Sequence, residues 1–216
     1  MPNQAIQNQA IQNQVVSNQV ASNQVASSEL ILASGSPRRK ELLENMGVEF
    51  SVHVTNTDES RRESEAAEDF VTRLARDKAR AAQAELGTGA AILAADTVVV
   101  QGEKVFGKPR DFEHAQGIWR SLESSTHQVM TAVCLLNGDK IAVKIGVTDV
   151  EFGVIQAGQM QRYWDTGEPL DKAGAYAIQG FASAWIKLIH GSYSNVVGLP
   201  LREVNELLAT IDRNWL

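Results

Sequence analysis

Asn137-Gly138 separates two of the longest strand-forming runs in the chain, THQVMTAVCLLN and KIAVKIGVTDVEFGVI. Asn-Gly between such runs is the strongest short-range hairpin signal, because both residues tolerate the positive φ of a tight turn. A long antiparallel pair is therefore expected in the sheet, and the other elements must be arranged around it. ELILAS, VEFSVHV and GAAILAADTVVVQG read as strands before it, and FASAWIKLIHG as one after it. KVFGKPRD reads as a loop. Helical patterns interleave with the strands: one opens at Ser36-Pro37 and ends at Gly47, one runs from about Glu65 to Leu86, and FEHAQGIWRSLES makes another. QAGQMQRYWDTG and a segment after Pro200 follow. Strands alternating with helices, plus a hairpin, predict an α/β fold with a mixed sheet.

The folded part has a sharp expected boundary. Residues 3–27 are pentapeptides in series (NQAIQ, NQAIQ, NQVVS, NQVAS, NQVAS), and no side chain before Glu29 is charged. A short repeat can wind into a solenoid, but so few copies bury too little to hold one together. Residues 1–28 are read as a flexible low-complexity tail without a catalytic part, and 29–216 as the folded domain.

The 216 residues carry a net charge of −6. That opposes a nucleic-acid or membrane-surface role resting on a broad basic field, while leaving room for a local basic pocket. No apolar run approaches the roughly 18 residues of a membrane span, and no secretory signal opens the chain, so a cytoplasmic protein is expected. The lone cysteine, Cys134, lies in an apolar run and reads as a buried strand residue. The four histidines lack metal-ligand spacing. Neither a P-loop, a dinucleotide fingerprint nor a nucleophile elbow occurs.

The candidate chemistry begins at ASGSPRRKELL. Ser36 is a suitable N-cap and Pro37 a favoured first helical residue, yet Arg38, Arg39 and Lys40 then crowd the positive end of the helix. A strand, a Gly-Ser turn and a helix N-terminus form a cradle for an anion, and paired arginines can clamp phosphate oxygens. In DFVTRLARDKARAAQAEL, Phe70, Val71, Leu74, Ala75, Ala81 and Ala82 share one helical face. Lys78 falls within that stripe, where an ammonium needs an anionic partner or must snorkel. Asp96 interrupts the apolar run ILAADTVVV, and Lys108 follows in GKPRD. Asp58 and Glu59, in a polar loop, are hard oxygen donors suited to Mg²⁺ or Mn²⁺ arriving with phosphates. Gln179, in EPLDKAGAYAIQG, offers an amide with which to read a base edge.

Taken in order, ASGSPRRKELL, RLARDKA, AADTVVV, GKPRD, EPLDKAGAYAIQG and GSYSNVVGLPL resemble the signatures of the Maf family of nucleoside triphosphate pyrophosphatases, from about Leu30 to Leu208. The resemblance implies an elongated mixed sheet flanked by helices, with two lobes around a cleft, related to inosine triphosphatases. It implies cleavage of a nucleoside triphosphate between the α and β phosphates, releasing a monophosphate and pyrophosphate, with a divalent cation and often as a homodimer. Asp96 matches the family's proton acceptor. Arg38, Thr97 and Gln179 match the positions that follow substrate choice; all three side with the dTTP/UTP branch, with modified pyrimidine triphosphates as further candidate substrates, whereas a branch cleaving 7-methylguanosine triphosphate carries Trp, Gln and Glu there. Arg38, Arg39, Lys78 and Lys108 would neutralise the triphosphate, and Glu59 with Asp96 would hold the cation. Ala177 stands where the family usually has Gly, which matters only if that position needs φ > 0. A nucleotide-sensing regulator of septum formation is the rival reading, and a nucleic-acid binder using PRRK a third that the acidic charge opposes.

Overall fold

The computed structural model describes residues 29–87, 89–156 and 158–211; the expected tail lies outside them. Strands β1 (Leu30–Ala33), β2 (Ser51–Val52), β3 (Ala91–Gln101), β4 (Lys104–Phe106), β5 (Thr126–Asn137), β6 (Lys140–Phe152) and β7 (Ile186–His190) form one mixed sheet. Its order is β2-β1-β3-β5-β6-β7, with β4 folded onto β3. β2, β1 and β3 are parallel, and the pairs from β3 through β7 are antiparallel.

The hairpin joins β5 to β6 with Asn137 opposite Lys140, so its two-residue loop is Gly138-Asp139. Only Gly138 takes positive φ, at 58°. The turn is thus of the kind with glycine first, one residue further along than Asn-Gly suggests. Gly102, also at positive φ, turns β3 back into β4, where the sequence reads as loop.

Helix α1 (Pro37–Asn45) follows β1, with the Ser36 hydroxyl accepting from the Arg39 amide and no acid in its first turn. Helix α2 (Ala67–Leu86) has Glu68 and Asp69 at its positive end and Gly87 in the left-handed conformation beyond its last turn. Its buried stripe is Phe70, Val71, Leu74, Ala75, Ala79 and Ala82. Ala81, expected in the stripe, is only half-buried, and Ala79 occupies the face instead.

This stripe covers one face of β1, β3 and β5. The opposite face is covered by Leu43 of α1 together with Val204, Leu207 and Leu208 of the C-terminal helix α6 (Leu201–Leu208). A separate aromatic core, built on Trp119, Phe152, Tyr163, Tyr176 and Trp185, closes the far half of the long strands with α3 (Phe112–Leu122) and α4 (Gln159–Asp165). One further short helix, α5 (Tyr193–Val197), precedes α6. The aromatic centroids lie 4.9–6.3 Å apart in tilted and edge-on pairs, the geometry that ring quadrupoles favour.

Two expected strands are less than half as long as read. VEFSVHV contributes only Ser51–Val52, paired with Ile31 and Leu32 of β1. In FASAWIKLIHG, Phe181–Trp185 is a 3₁₀ turn and the strand begins at Ile186. Cys134 is fully buried, as its apolar run implied.

The arrangement leaves a gap along one edge of β3. β1 pairs with Ala91–Ala94 and β4 with Val99–Gln101, while β5 occupies the other edge from Ile92 to Val100. Among the described residues, no strand covers Ala95–Val98 on the open edge. Side chains alternate along a strand, so both faces of this stretch can serve one opening.

Candidate active site

A cavity of about 550 Å³ lies at that gap, within the roughly 300–1,000 Å³ usual for small-molecule sites. Arg38, Arg39, Glu59, Lys78, Asp96, Thr97, Lys108 and Gln179 all line it. Residues spread over 142 positions of sequence thus meet because β1 ends early, α1 and α2 pack beside β3, and the segment after α4 closes the other side. Lys172 and Asp171 join them, giving five cationic side chains against three carboxylates. The cavity is locally cationic in a chain of net charge −6.

On one face of β3, Asp96 meets α2. The Lys78 ammonium lies 2.6 Å from Asp96 Oδ1 and 2.7 Å from Glu59 Oε1, and Lys108 Nζ lies 3.2 Å from Glu59 Oε2. The inward lysine therefore has anionic partners, and three chain segments are tied at one point. Burial alone would raise the Glu59 pKa, but hydrogen bonds and charge from Lys78, then Lys108, outweigh it and hold Glu59 below the ordinary carboxylate value.

The loop that presents Glu59 is fixed by Glu65, whose carboxylate accepts Arg73 Nε at 2.6 Å and Nη2 at 2.8 Å while Arg73 also donates to the Ser60 carbonyl. Hydrogen bonds from Arg73 push Glu65 down to about 2. Asp58, grouped with Glu59 in the sequence, does not line the cavity; its Oδ1 accepts from the Ser60 amide at 2.9 Å.

On the other face, Thr97 meets Arg39. The guanidinium donates through Nε to the Gly198 carbonyl at 2.8 Å, through Nη1 to Ser34 Oγ at 3.3 Å, and through Nη2 to Thr97 Oγ1 at 3.0 Å. Thr131 spends its hydroxyl proton on the Asn195 carbonyl, so Thr97 donates to Thr131 and the chain of donors runs from Arg39 inward. Arg39 therefore uses three of its five donors within the protein. Burial lowers its pKa against the raising effect of Asp96. Arg38 is freer, with one contact of 3.5 Å to the exposed carboxylate of Asp171.

Gln179 is exposed at the tip of the loop opposite, and among the described residues its amide has no hydrogen-bond partner. Ala177 is not at positive φ, so its methyl is accommodated; the strained residue is Ala175, at φ 56°, held by Trp119 Nε1 donating to its carbonyl at 2.8 Å.

Ser34, Asp171, Lys172 and the Gly198 carbonyl were not singled out in the sequence. Ser34 stood within the first motif and Asp171-Lys172 within EPLDKAG, so a charged pair beside Gln179 was the available signal. Among the described residues, Glu59 and Asp96 are the carboxylates paired with Lys78 in the cavity, and no group of three or more metal-binding side chains occurs. Two carboxylates suit a Mg²⁺-type ion that brings most of its shell with it, as water and phosphate oxygen. No described helix is long and apolar enough to cross a membrane.

The α/β sheet thus opens at one strand edge onto a cationic cavity of a size and charge suited to a small anion. The chain belongs to the Maf-like protein family, whose pattern it matches over residues 29–211. A dTTP/UTP pyrophosphatase of Escherichia coli O157:H7 is 49% identical over 183 residues, 85% of this chain and 93% of that one. The dTTP/UTP pyrophosphatase of Hahella chejuensis is 46% identical over 181 residues, covering 83% and 90%. A nucleoside-triphosphatase / dITP/XTP pyrophosphatase structure from Mycobacterium abscessus aligns over 85% of this chain and 95% of its own, at 16% identity and TM-score 0.43. That likeness is too loose to bear on the fold, which rests on the sheet itself.

Proposed function

We propose that this protein hydrolyses dTTP and UTP to the nucleoside monophosphate and pyrophosphate. The observation that carries the reading is the meeting of Asp96 with Lys78, Glu59 and Lys108 inside a cavity that also holds two arginines. The relatives' names supply the substrate class. Arg38, Lys78 and Lys108 neutralise the phosphates and stabilise the charge that gathers on departing pyrophosphate. Arg39 shapes the cradle by fixing Ser34, Thr97 and the Gly198 carbonyl, with two donors left for phosphate oxygen. Asp96, oriented by Lys78, accepts a proton from the attacking water.

Glu59 and Asp96 are the residues to hold Mg²⁺ or Mn²⁺, which when bound neutralises and polarises the phosphoryl oxygens. Gln179, Thr97 and Arg38 distinguish the nucleotide, with the Gln179 amide on the uracil or thymine edge. In this reading residues 29–216 form the catalytic domain, 1–28 are an appendage to it, and the enzyme works as a cytoplasmic homodimer. Incubation with dTTP, UTP and purine triphosphates in Mg²⁺, scored by released pyrophosphate, tests it. Release from the pyrimidine nucleotides is expected; none from any of them overturns the reading.

A further inference from the structure

Gln179 sits at the third position of a tight turn closed by the Gly180 amide donating to the Ala177 carbonyl at 3.3 Å. Both flanks of that turn lead to one carboxylate. The Ala177 amide donates to the Tyr163 hydroxyl at 3.1 Å, and that hydroxyl donates to Glu168 Oε1 at 2.7 Å. From the other side, the Phe181 amide donates to Glu168 Oε2 at 3.4 Å. Tyr163 is buried, at 3% exposed. Gly180 is what admits the carboxylate: a Cβ there would overlap both Glu168 oxygens.

The base of the clamp is itself anchored. Lys172 Nζ donates to the Glu168 carbonyl at 2.6 Å, and Pro169 is buried just after it. A side chain that reads a base edge must be held within a fraction of an ångström, and an exposed turn does not achieve this alone.

We propose that Tyr163 and Glu168 are positioning residues that fix the Gln179 turn and thereby set discrimination at the 4-position of the pyrimidine, where UTP presents a carbonyl and CTP an amino group. The inference rests on the pyrophosphatase reading for its functional arm. Neither residue touches the phosphates, so releasing the turn weakens base recognition without altering the hydrolytic step. Tyr163→Phe removes a single hydroxyl; Glu168→Gln keeps the volume and one acceptor.

The test measures kcat and KM for UTP and CTP in wild type and both variants, alongside amide hydrogen exchange over residues 175–183. The expected result is an approximately tenfold fall in the UTP-over-CTP ratio of kcat/KM, carried by KM for UTP with kcat nearly unchanged, and faster exchange at Ala177 and Phe181. A parallel loss of kcat for both nucleotides with the ratio intact would reveal mere structural damage and overturn the proposal. Unchanged exchange overturns it too. Should wild type release no pyrophosphate from UTP, the enzymatic reading fails separately, and exchange alone decides whether the clamp exists.

Discussion

The ammonium of Lys78 sits 2.6 Å from Asp96 Oδ1, joining α2 to β3 with the two side chains only 13% and 11% exposed. An ion pair this enclosed is costly to break from one side, because the remaining charge keeps its desolvation penalty. The same pair aims the carboxylate at the cavity. Stability and, in the proposed reaction, chemistry therefore depend on one contact.

Asp96→Asn preserves shape while removing the proposed proton acceptor. Pyrophosphate release from dTTP and UTP is expected to fall roughly 100- to 10,000-fold, with nucleotide affinity by calorimetry largely kept. Near-normal turnover removes Asp96 from the mechanism.

Lys78→Met leaves Asp96 and Glu59 facing each other without their shared cation. Unfolding free energy in urea is expected to fall by about 3 kcal/mol, and activity to be lost with it. The double variant Lys78→Met/Asp96→Asn should recover part of the stability and none of the activity.

Arg39 and Arg38 are adjacent but should respond differently to lysine. Arg39→Lys loses a fork that reaches Ser34, Thr97 and Gly198 together, and is expected to cost about 1–3 kcal/mol of stability. Arg38→Lys gives up one exposed contact and should leave thermal unfolding almost unchanged while raising KM.

His127 is 1% exposed, with Nε2 on the Tyr176 hydroxyl and Nδ1 unpartnered. Burial lowers its pKa from 6.5 to about 4. The unfolded chain thus takes up this proton first: the contribution is complete above pH 6.5 and is lost as pH falls toward 4. The loss amounts to about 3 kcal/mol. Urea unfolding at pH 7.5 and pH 5 should show the decline, and His127→Phe should flatten it over that interval.

Gly174 combines φ 71° with the Val99 side chain 2.8 Å from where a Cβ would stand. Gly174→Ala is expected to cost roughly 2–4 kcal/mol from left-handed strain and overpacking together. A drop in Tm of roughly 5–10 °C would register it.

Four charged members of the site are legible because each breaks a local rule. Lys78 interrupted an apolar stripe, Asp96 an apolar strand, and Arg38-Arg39 the positive end of a helix. What they bind to was not legible, since Glu59 reaches Lys78 only through a loop fixed by Glu65 and Arg73, and the locking of Arg39 requires the Gly198 carbonyl 159 residues away. The β5–β6 hairpin was visible in its alternation and turn, whereas β4, three residues long, has too short a pattern to separate from a loop. Phe181–Trp185 misled for another reason: aromatic and apolar residues suit a strand equally well, and it is the bond from the Ser183 amide to the Gly180 carbonyl that curls them.

The uncovered stretch of β3 is a matter of length. β1 stops at Ala33 and β4 starts pairing only at Val99, so a few additional β-forming residues on either neighbour would zip the sheet shut over Asp96 and Thr97. Such an insertion would read as an improvement by every ordinary measure of sheet quality, with more ladder bonds and less exposed edge. It would also bury the proposed reaction centre under backbone. Evolution or engineering that lengthens these strands thus trades turnover for rigidity, which makes their brevity part of the working machinery.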